Sequence, residues 1–362
     1  MTVVAQTGLF GFGPQAGKEI GATTLYKHRA NDIDLAIISD DRLGPPEVGG
    51  TPTPTVPYRA GVVAQGGATI APRLENTFGW LLYATAGHVE TEDNEDVFGS
   101  TEAGFYHHTF SFNPDAEGLV PWMTFYKEIP GITDAQRIAE TYEDCKVVNH
   151  ALVLPNDGLI QSRIDVIGRM ANDNQLQEGP STVFGNTEYE DFQSIPLGSV
   201  EGSYIQVPEV SGEDLPIIQC SVNFQNAPLD MAQEKVFGSP FLEDVTIIGR
   251  QMTVEMIVKW QDADLYRAII TGSPTGTAWT PCPFIADLDV YAQTGECDEE
   301  TAPWQIRVTA PEVVYQMEGG ITIAGNEAVM MRLRGTVIKG TGYYYKIHLG
   351  NRTPAYTWPS PP

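Results

Sequence analysis

Tyr142-Glu-Asp-Cys-Lys-Val-Val-Asn-His-Ala-Leu-Val-Leu-Pro-Asn-Asp-Gly158, continued by Leu159 to Gly168, reads as a strand, a polar tip and a returning strand. Alternation of apolar and polar residues is the period of a half-buried pleated strand. The pattern returns at Ala310-Pro-Glu-Val-Val-Tyr-Gln-Met-Glu-Gly-Gly-Ile-Thr-Ile-Ala-Gly-Asn326, continued by Glu327 to Val337. Each hairpin has an apolar helical segment upstream. The first is Glu75-Asn-Thr-Phe-Gly-Trp-Leu-Leu-Tyr-Ala-Thr-Ala-Gly87, and the second is Asp262-Ala-Asp-Leu-Tyr-Arg-Ala-Ile-Ile-Thr-Gly272. In the first, Phe78, Leu81, Leu82 and Ala86 make one stripe flanked by Trp80 and Tyr83, and Gly87 is a natural stop. The chain is therefore expected to carry the same β-unit twice. Open β-edges need partners, and two units per chain close a ring from half as many subunits.

Working outward, residues 1–20 are Gly-rich and weakly patterned, which predicts a flexible arm. Ile33–Ser39 reads as a strand. The run Leu43-Gly-Pro-Pro-Glu-Val-Gly-Gly-Thr-Pro-Thr-Pro-Thr-Val-Pro57 excludes helix and central strand and predicts a long surface loop. A loop that long suggests ordering by a partner, so Pro45, Pro46, Gly49, Gly50, Pro52 and Pro54 are candidate subunit or ring contacts. Strands are expected near 105–113 and 119–128. Residues 171–216 read as an acidic excursion, with a short strand around Ser203–Val207. Met252, Val254, Met256, Val258 and Trp260 alternate with more polar residues, as do Phe284 to Gln293 and Trp304 to Val308. The expected organisation is an arm (1–20), a first unit (21–170), the excursion (171–216), a second unit (217–350) and a Pro-rich tail (351–362).

The chain has 362 residues, 42% of them apolar, which is enough for a substantial core. No window has the apolar length of a membrane span, and Met1–Gly8 lacks the basic and apolar regions of a signal peptide. Membrane insertion is not expected. Cys145, Cys220, Cys282 and Cys297 have no metal-site spacing. Reduced, buried thiols are the expectation, with Cys282–Cys297 the one locally plausible disulfide. The formal net charge is −26, unevenly spread: Met170 to Glu234 holds eleven acids and no Lys or Arg. Acidic loops keep a protein soluble, and nucleic-acid grip needs the opposite sign. The chain could lie near DNA without holding it.

No catalytic signature stands out. His107 and His108 are adjacent, and on a strand they point to opposite faces. There is no Gly-x-Ser-x-Gly elbow and no phosphate-binding glycine loop. Asp287 and Asp289 share a strand face, which a solvated face explains better than paired acid/base catalysis does. No catalytic, cofactor or metal residue is assigned, and no cofactor is expected. Trp80, Trp122, Trp260 and Trp304 sit beside apolar runs, as core residues do.

Taken in order, several segments resemble the tailed-bacteriophage major tail tube proteins of two-repeat type. They are Ile33-Asp-Leu35, Pro45-Pro-Glu-Val-Gly-Gly50, Tyr58-Arg-Ala-Gly61, Gly66-Gly-Ala-Thr-Ile-Ala-Pro-Arg-Leu-Glu75 with Phe78-Gly-Trp-Leu-Leu82, His108-Thr-Phe110, Pro121-Trp-Met-Thr124, Tyr142-Glu-Asp-Cys-Lys-Val147 and Asp165-Val-Ile-Gly168. The resemblance covers residues 30–170 and reaches the second half through the repeat. It implies a mainly β fold: two tandem β-sandwich or half-barrel units, each with one flanking α-helix, contributing strands to an inter-subunit β-barrel. It further implies a virion structural protein, not an enzyme, assembled in the host cytoplasm. Stacked trimeric rings with pseudo-sixfold symmetry would form the tail tube. The implied partners are further copies of itself, a tape measure protein in the lumen, and tail terminator and distal tail proteins. Phage DNA would pass through without specific binding. The hairpins and the strand Thr246–Trp260 would line the channel. Asn149, Arg163, Asp165, Thr253, Glu255 and Lys259 are the candidate lumen-facing residues, and the lumen is expected to be polar and net negative. The alternative readings are a carbohydrate-binding β-sandwich, which needs an exposed aromatic platform, and a hydrolase with paired carboxylates.

Overall fold

The computed structural model describes residues 8–44, 57–93, 104–112, 120–131, 137–170, 176–178, 184–186, 188–207, 215–260, 263–294, 304–319, 321, 329–339 and 343–359. In chain order the strands are β1 (Leu9–Pro14), β2 (Tyr26–His28), β3 (Ala30–Ile33), β4 (Ala36–Leu43) and β5 (Pro57–Ile70). Helix α1 (Phe78–Ala86) follows, then β6 (His88–Asp93), β7 (Tyr106–Ser111), β8 (Met123–Ile129), β9 (Ile138–Pro155) and β10 (Gln161–Met170). Short β11 (Leu176–Glu178) and β12 (Tyr204–Gln206) precede β13 (Ile217–Pro228) and β14 (Ile247–Lys259). Helix α2 (Asp264–Thr271) leads to β15 (Phe284–Gln293), β16 (Gln305–Met317), β17 (Met330–Val337) and β18 (Lys346–Asn351). The protein is mainly β, with two α-helices among the described residues and every strand ladder antiparallel.

Ladders run without a break through β4-β5-β10-β9-β13-β14-β17-β16. Joining the two halves of the sequence, β9 sets Asn149 opposite Gln225 and Pro155 opposite Gln219. The N-terminal half of β9 pairs instead with β8, which pairs with β1. In the same way the N-terminal half of β16 pairs with β18, which crosses back to β7 in the first half. The two long strands thus pass from one layer of a sandwich-like fold to the other. The main core lies inside, with Phe12, Phe78, Leu81, Phe110 and Tyr142 from one half and Phe224, Val254, Tyr315 and Ile347 from the other. Alternation accounts for this directly: Cys220, Val222 and Phe224 are buried, whereas Gln219 and Gln225 are exposed.

Both expected helices form, shorter by a few residues than their patterns. α1 ends at Gly87, whose φ of 90° is the left-handed conformation that glycine adopts without strain, and its N–H donates to the Tyr83 carbonyl at 2.7 Å. The α1 N-terminus receives the C-terminal segment. Tyr356 is buried and donates its hydroxyl to the Asn76 carbonyl at 2.6 Å, and Trp358 Nε1 donates to the Gln15 carbonyl at 2.7 Å. The Pro-rich tail therefore acts as a strap. A Cβ at Gly79 would run into the Tyr356 ring. Gly79→Ala is accordingly expected to lift the strap and cost about 2 kcal/mol as overpacking, seen as a lower denaturation midpoint with unchanged far-UV dichroism.

Within the expected arm 1–20, Leu9–Pro14 is a strand between β2 and β8, with Phe10 and Phe12 buried. Glycine at positions 11 and 13 hid that alternation. Within the expected excursion, β11 pairs with β9 and β12 with β15. Cys145 and Cys220 are buried free thiols, but Cys282 is exposed, because it lies in the turn before β15 rather than on a core strand. Cys297 lies outside the described residues.

Candidate assembly surfaces and a polar cleft

One face of the eight-strand run covers the core, and strand parity dictates what the other face presents. On β9 and β10 it carries Asn149, Ala151, Arg163 and Asp165. On β13 it carries Gln219, Ser221, Asn223 and Gln225, and on β14 Thr253, Glu255 and Lys259. All six residues expected to line a channel therefore share this face, with Thr253 the most covered at 3% exposure. Pairing sets them side by side: Asn149 is opposite Asp165 and Gln225, and Thr253 is opposite Asn223 and Thr336. Asn149 Nδ2 donates to Asp165 at 3.1 Å.

Ion pairs organise this face. Arg163 donates to Asp34 at 2.6 Å and to Asp165 at 2.8 Å. Burial alone would raise the Asp34 carboxyl, but the Arg163 hydrogen bond and charge hold it below the usual range. β17 adds Arg332 and Arg334, which the sequence reading missed because the whole segment was read as a hairpin without a side assigned. Arg334 is opposite Glu255 in the ladder and 4.0 Å from Glu318. The described part of the face thus carries Arg163, Lys259, Arg332 and Arg334 against Asp32, Asp34, Asp165, Glu255 and Glu318. This face is rich in amides and hydroxyls with both charges present.

The ends of the run are edges. Among the described residues β4 pairs with β5 and with no other strand. On this β4–β5 hairpin Ile38, Leu43 and Tyr58 are 48%, 63% and 50% exposed. At the far end β16 is flanked by β15 only as far as Tyr315, which leaves one side of Gln316 and Met317 unpaired by any described strand. Such edges template pairing with another chain. The candidate contacts Pro45, Pro46, Gly49, Gly50, Pro52 and Pro54 lie outside the described residues.

A separate cleft of about 980 Å³ opens where β2, the start of α1, residues 185–186 and 188–192 and the C-terminal strap meet. Tyr26, Trp80 and Tyr189 form aromatic walls, while Arg73 and Glu190 supply opposite charges. Lys27 and Arg29 lie over the Tyr189 ring at 5.2 and 5.0 Å. Arg73 is 6% exposed, and its Nε and Nη1 have no hydrogen-bond partner among the described residues. Glu190 accepts the Thr77 N–H at 2.6 Å, and burial pushes its carboxyl up to about 7. Only the acidic run Glu188-Tyr-Glu-Asp191 hinted at this cleft in the sequence.

The histidines are structural in their contacts. His107 Nε2 lies 3.1 Å from His348 Nδ1 with the rings stacked, and His108 Nε2 lies 3.0 Å from Asn351 Oδ1. His150 bridges Thr85 at 2.7 Å and Ser162 at 2.8 Å. Asp289 is held by Arg307 at 2.5 and 2.8 Å rather than by Asp287. No family model matches the chain, and no curated protein matches its sequence.

Proposed function

We propose that the protein is a structural subunit of a bacteriophage tail tube, closing rings of three copies that stack around a DNA conduit. The observation that carries this reading is a recurrence of pairing order. β4-β5-β10-β9 and β13-β14-β17-β16 follow the same path, with a helix after the second strand each time. The irregularities recur as well. β4 sets Asp40 opposite Gly61 and Asp41 opposite Arg59, skipping Ala60. β13 sets Ala227 opposite Gly249 and Pro228 opposite Ile247, skipping Ile248. A shared bulge at equivalent places is a feature that duplicated units retain.

The joint between the units, β9 on β13, then supplies the pattern for a joint between chains. Carried over by equivalence, β4 of one copy pairs with the free side of β16 in the next, with Met317 opposite Ile37. Three chains make six units, and the polar face becomes the channel wall. Arg334 is set against Glu255 across the ladder, and Arg163 lies between Asp34 and Asp165, which denies phosphates a continuous basic stripe. The tape measure, terminator and distal tail proteins belong to this reading as partners. The test is the mass of isolated rings and the symmetry of reconstructed tubes. Three chains per ring are expected, whereas rings of six whole chains would overturn the duplication.

The cleft favours a second reading, carbohydrate binding. Aromatic walls with donors and acceptors side by side suit a sugar ring and its hydroxyls. A glycan array decides it: saturable binding lost in Trp80→Ala by a correctly folded monomer supports this reading over the first.

A further inference from the structure

Residues 229–246, the connection from β13 to β14, do not stay on their own unit. They reach across the joint and sit on β5, β9 and β10 of the first unit. Leu242 and Val245 bury themselves with Ile167 against Val63, Val148 and Trp122. The Pro240 carbonyl accepts the Val62 N–H at 2.8 Å, and the Leu242 carbonyl accepts Arg169 Nε at 2.9 Å. The Val245 carbonyl accepts Lys146 Nζ at 2.8 Å, while that ammonium also lies 4.0 Å over the Trp122 ring and 3.4 Å from Asp244. Burial here pulls the Lys146 ammonium below its usual range despite Asp244. Seated this way, the connection clamps one unit to the next.

The recurrence of bulges identifies the same place on the second unit. Gly61, Val62 and Val63 correspond to Gly249, Arg250 and Gln251. At that place the surface is hollow: a cavity of about 350 Å³ is lined by Gln225, Gly249, Arg250, Gln251, Val337 and Tyr344. Ile248, next in sequence to the lining residue Gly249, is 64% exposed. Where the first unit has a clamp, the described residues of the second unit have a vacant seat.

We propose that this seat receives the β4–β5 connection, residues 44–56, of a neighbouring copy. The proposal rests on the ring reading above and names the surface that locks adjacent chains. The occupant follows from equivalence, since β4 and β5 correspond to β13 and β14, and the segments between equivalent bulges, 42–58 and 229–246, are of nearly equal length. Its chemistry also fits. Residues 44–56 bring the small apolar side chains Val48 and Val56 to a seat whose Arg250 is already held by the Ala86 carbonyl at 2.7 Å and whose wall includes Val337 and Tyr344.

Photo-crosslinking tests the seat. A small diazirine residue at Gln251 in assembled rings is expected to capture the tryptic peptide Leu43–Arg59 of another chain. The same probe at Val63 is the internal control and captures Val236–Arg250 of its own chain, even in dilute monomer. Gln251→Trp, which fills the cavity, is expected to lower ring yield at least tenfold without moving the thermal midpoint of the monomer. Rings that form normally but yield other peptides from Gln251, or that tolerate Gln251→Trp, overturn the proposal and leave the ring reading intact. A wild-type chain that never forms rings while the Val63 control works removes both.

Discussion

Acidification from pH 7 to pH 4 should destabilise the folded chain steeply, with the largest contributions from His28 and His150. Both are fully enclosed, and burial pulls each imidazole down to about 3. For His28 the nearby Arg73 charge adds to burial, and the Ala71 carbonyl opposes it. His348 is drawn to about 3 and His108 to about 4, again chiefly by burial. The unfolded chain binds these protons near the ordinary histidine value, and the folded chain does not until pH 3 to 4. Stability is thus full above about pH 6.5 and is lost as pH falls towards the folded values. By pH 4 each of the two enclosed histidines forfeits about 3 kcal/mol, against a total near 5–15 kcal/mol for a typical domain. Glu190 works the other way. Its raised carboxyl favours the folded state as pH falls from about 7, and it offsets roughly one histidine. Urea midpoints at pH 7, 5.5 and 4.5 check the slope. His150→Gln should flatten it, and equal midpoints across that range would rule the account out.

Ile38→Lys is expected to yield a folded monomer that no longer closes rings. Ile38 is half exposed on β4, so the substitution should move monomer stability by less than about 0.5 kcal/mol. An ammonium on an open edge is the device natural sheets use to refuse further strands. Gradient sedimentation should show a loss of assemblies of at least tenfold, with an unchanged melting curve. Normal rings from this variant would mean that β4 is not the mating edge.

Much of the architecture was legible in alternation. Met252, Val254, Met256 and Val258 announced β14, and Gly87 and Gly272 marked both helix ends. What stayed hidden was long-range pairing. Nothing local in His107-His108-Thr-Phe110 says that its partner strand lies at Lys346–Asn351. The polar face was partly legible, because Glu255 and Lys259 must oppose buried Met256 and Val258 by parity. Arg332 and Arg334 were not, because placing them on that face depends on the register of β17 against β14, a tertiary fact. The cleft was illegible for the same reason: Arg73, Glu190 and Pro354 are brought together only by the fold.

The strap and the β7–β18 ladder bear on when the molecule can finish folding. Tyr356 roofs α1, and Trp358 reaches the carbonyl of Gln15, some of the first described residues. During synthesis the first half emerges with β7 unpaired on one side and the α1 N-terminus uncovered, and both stay so until residues 346–358 have left the ribosome. Contacts of such sequence separation close slowly. Meanwhile the β4 edge is already available. The order of events therefore exposes mating surfaces before the core is sealed, and a chaperone that holds the growing chain would guard against premature partners during that interval.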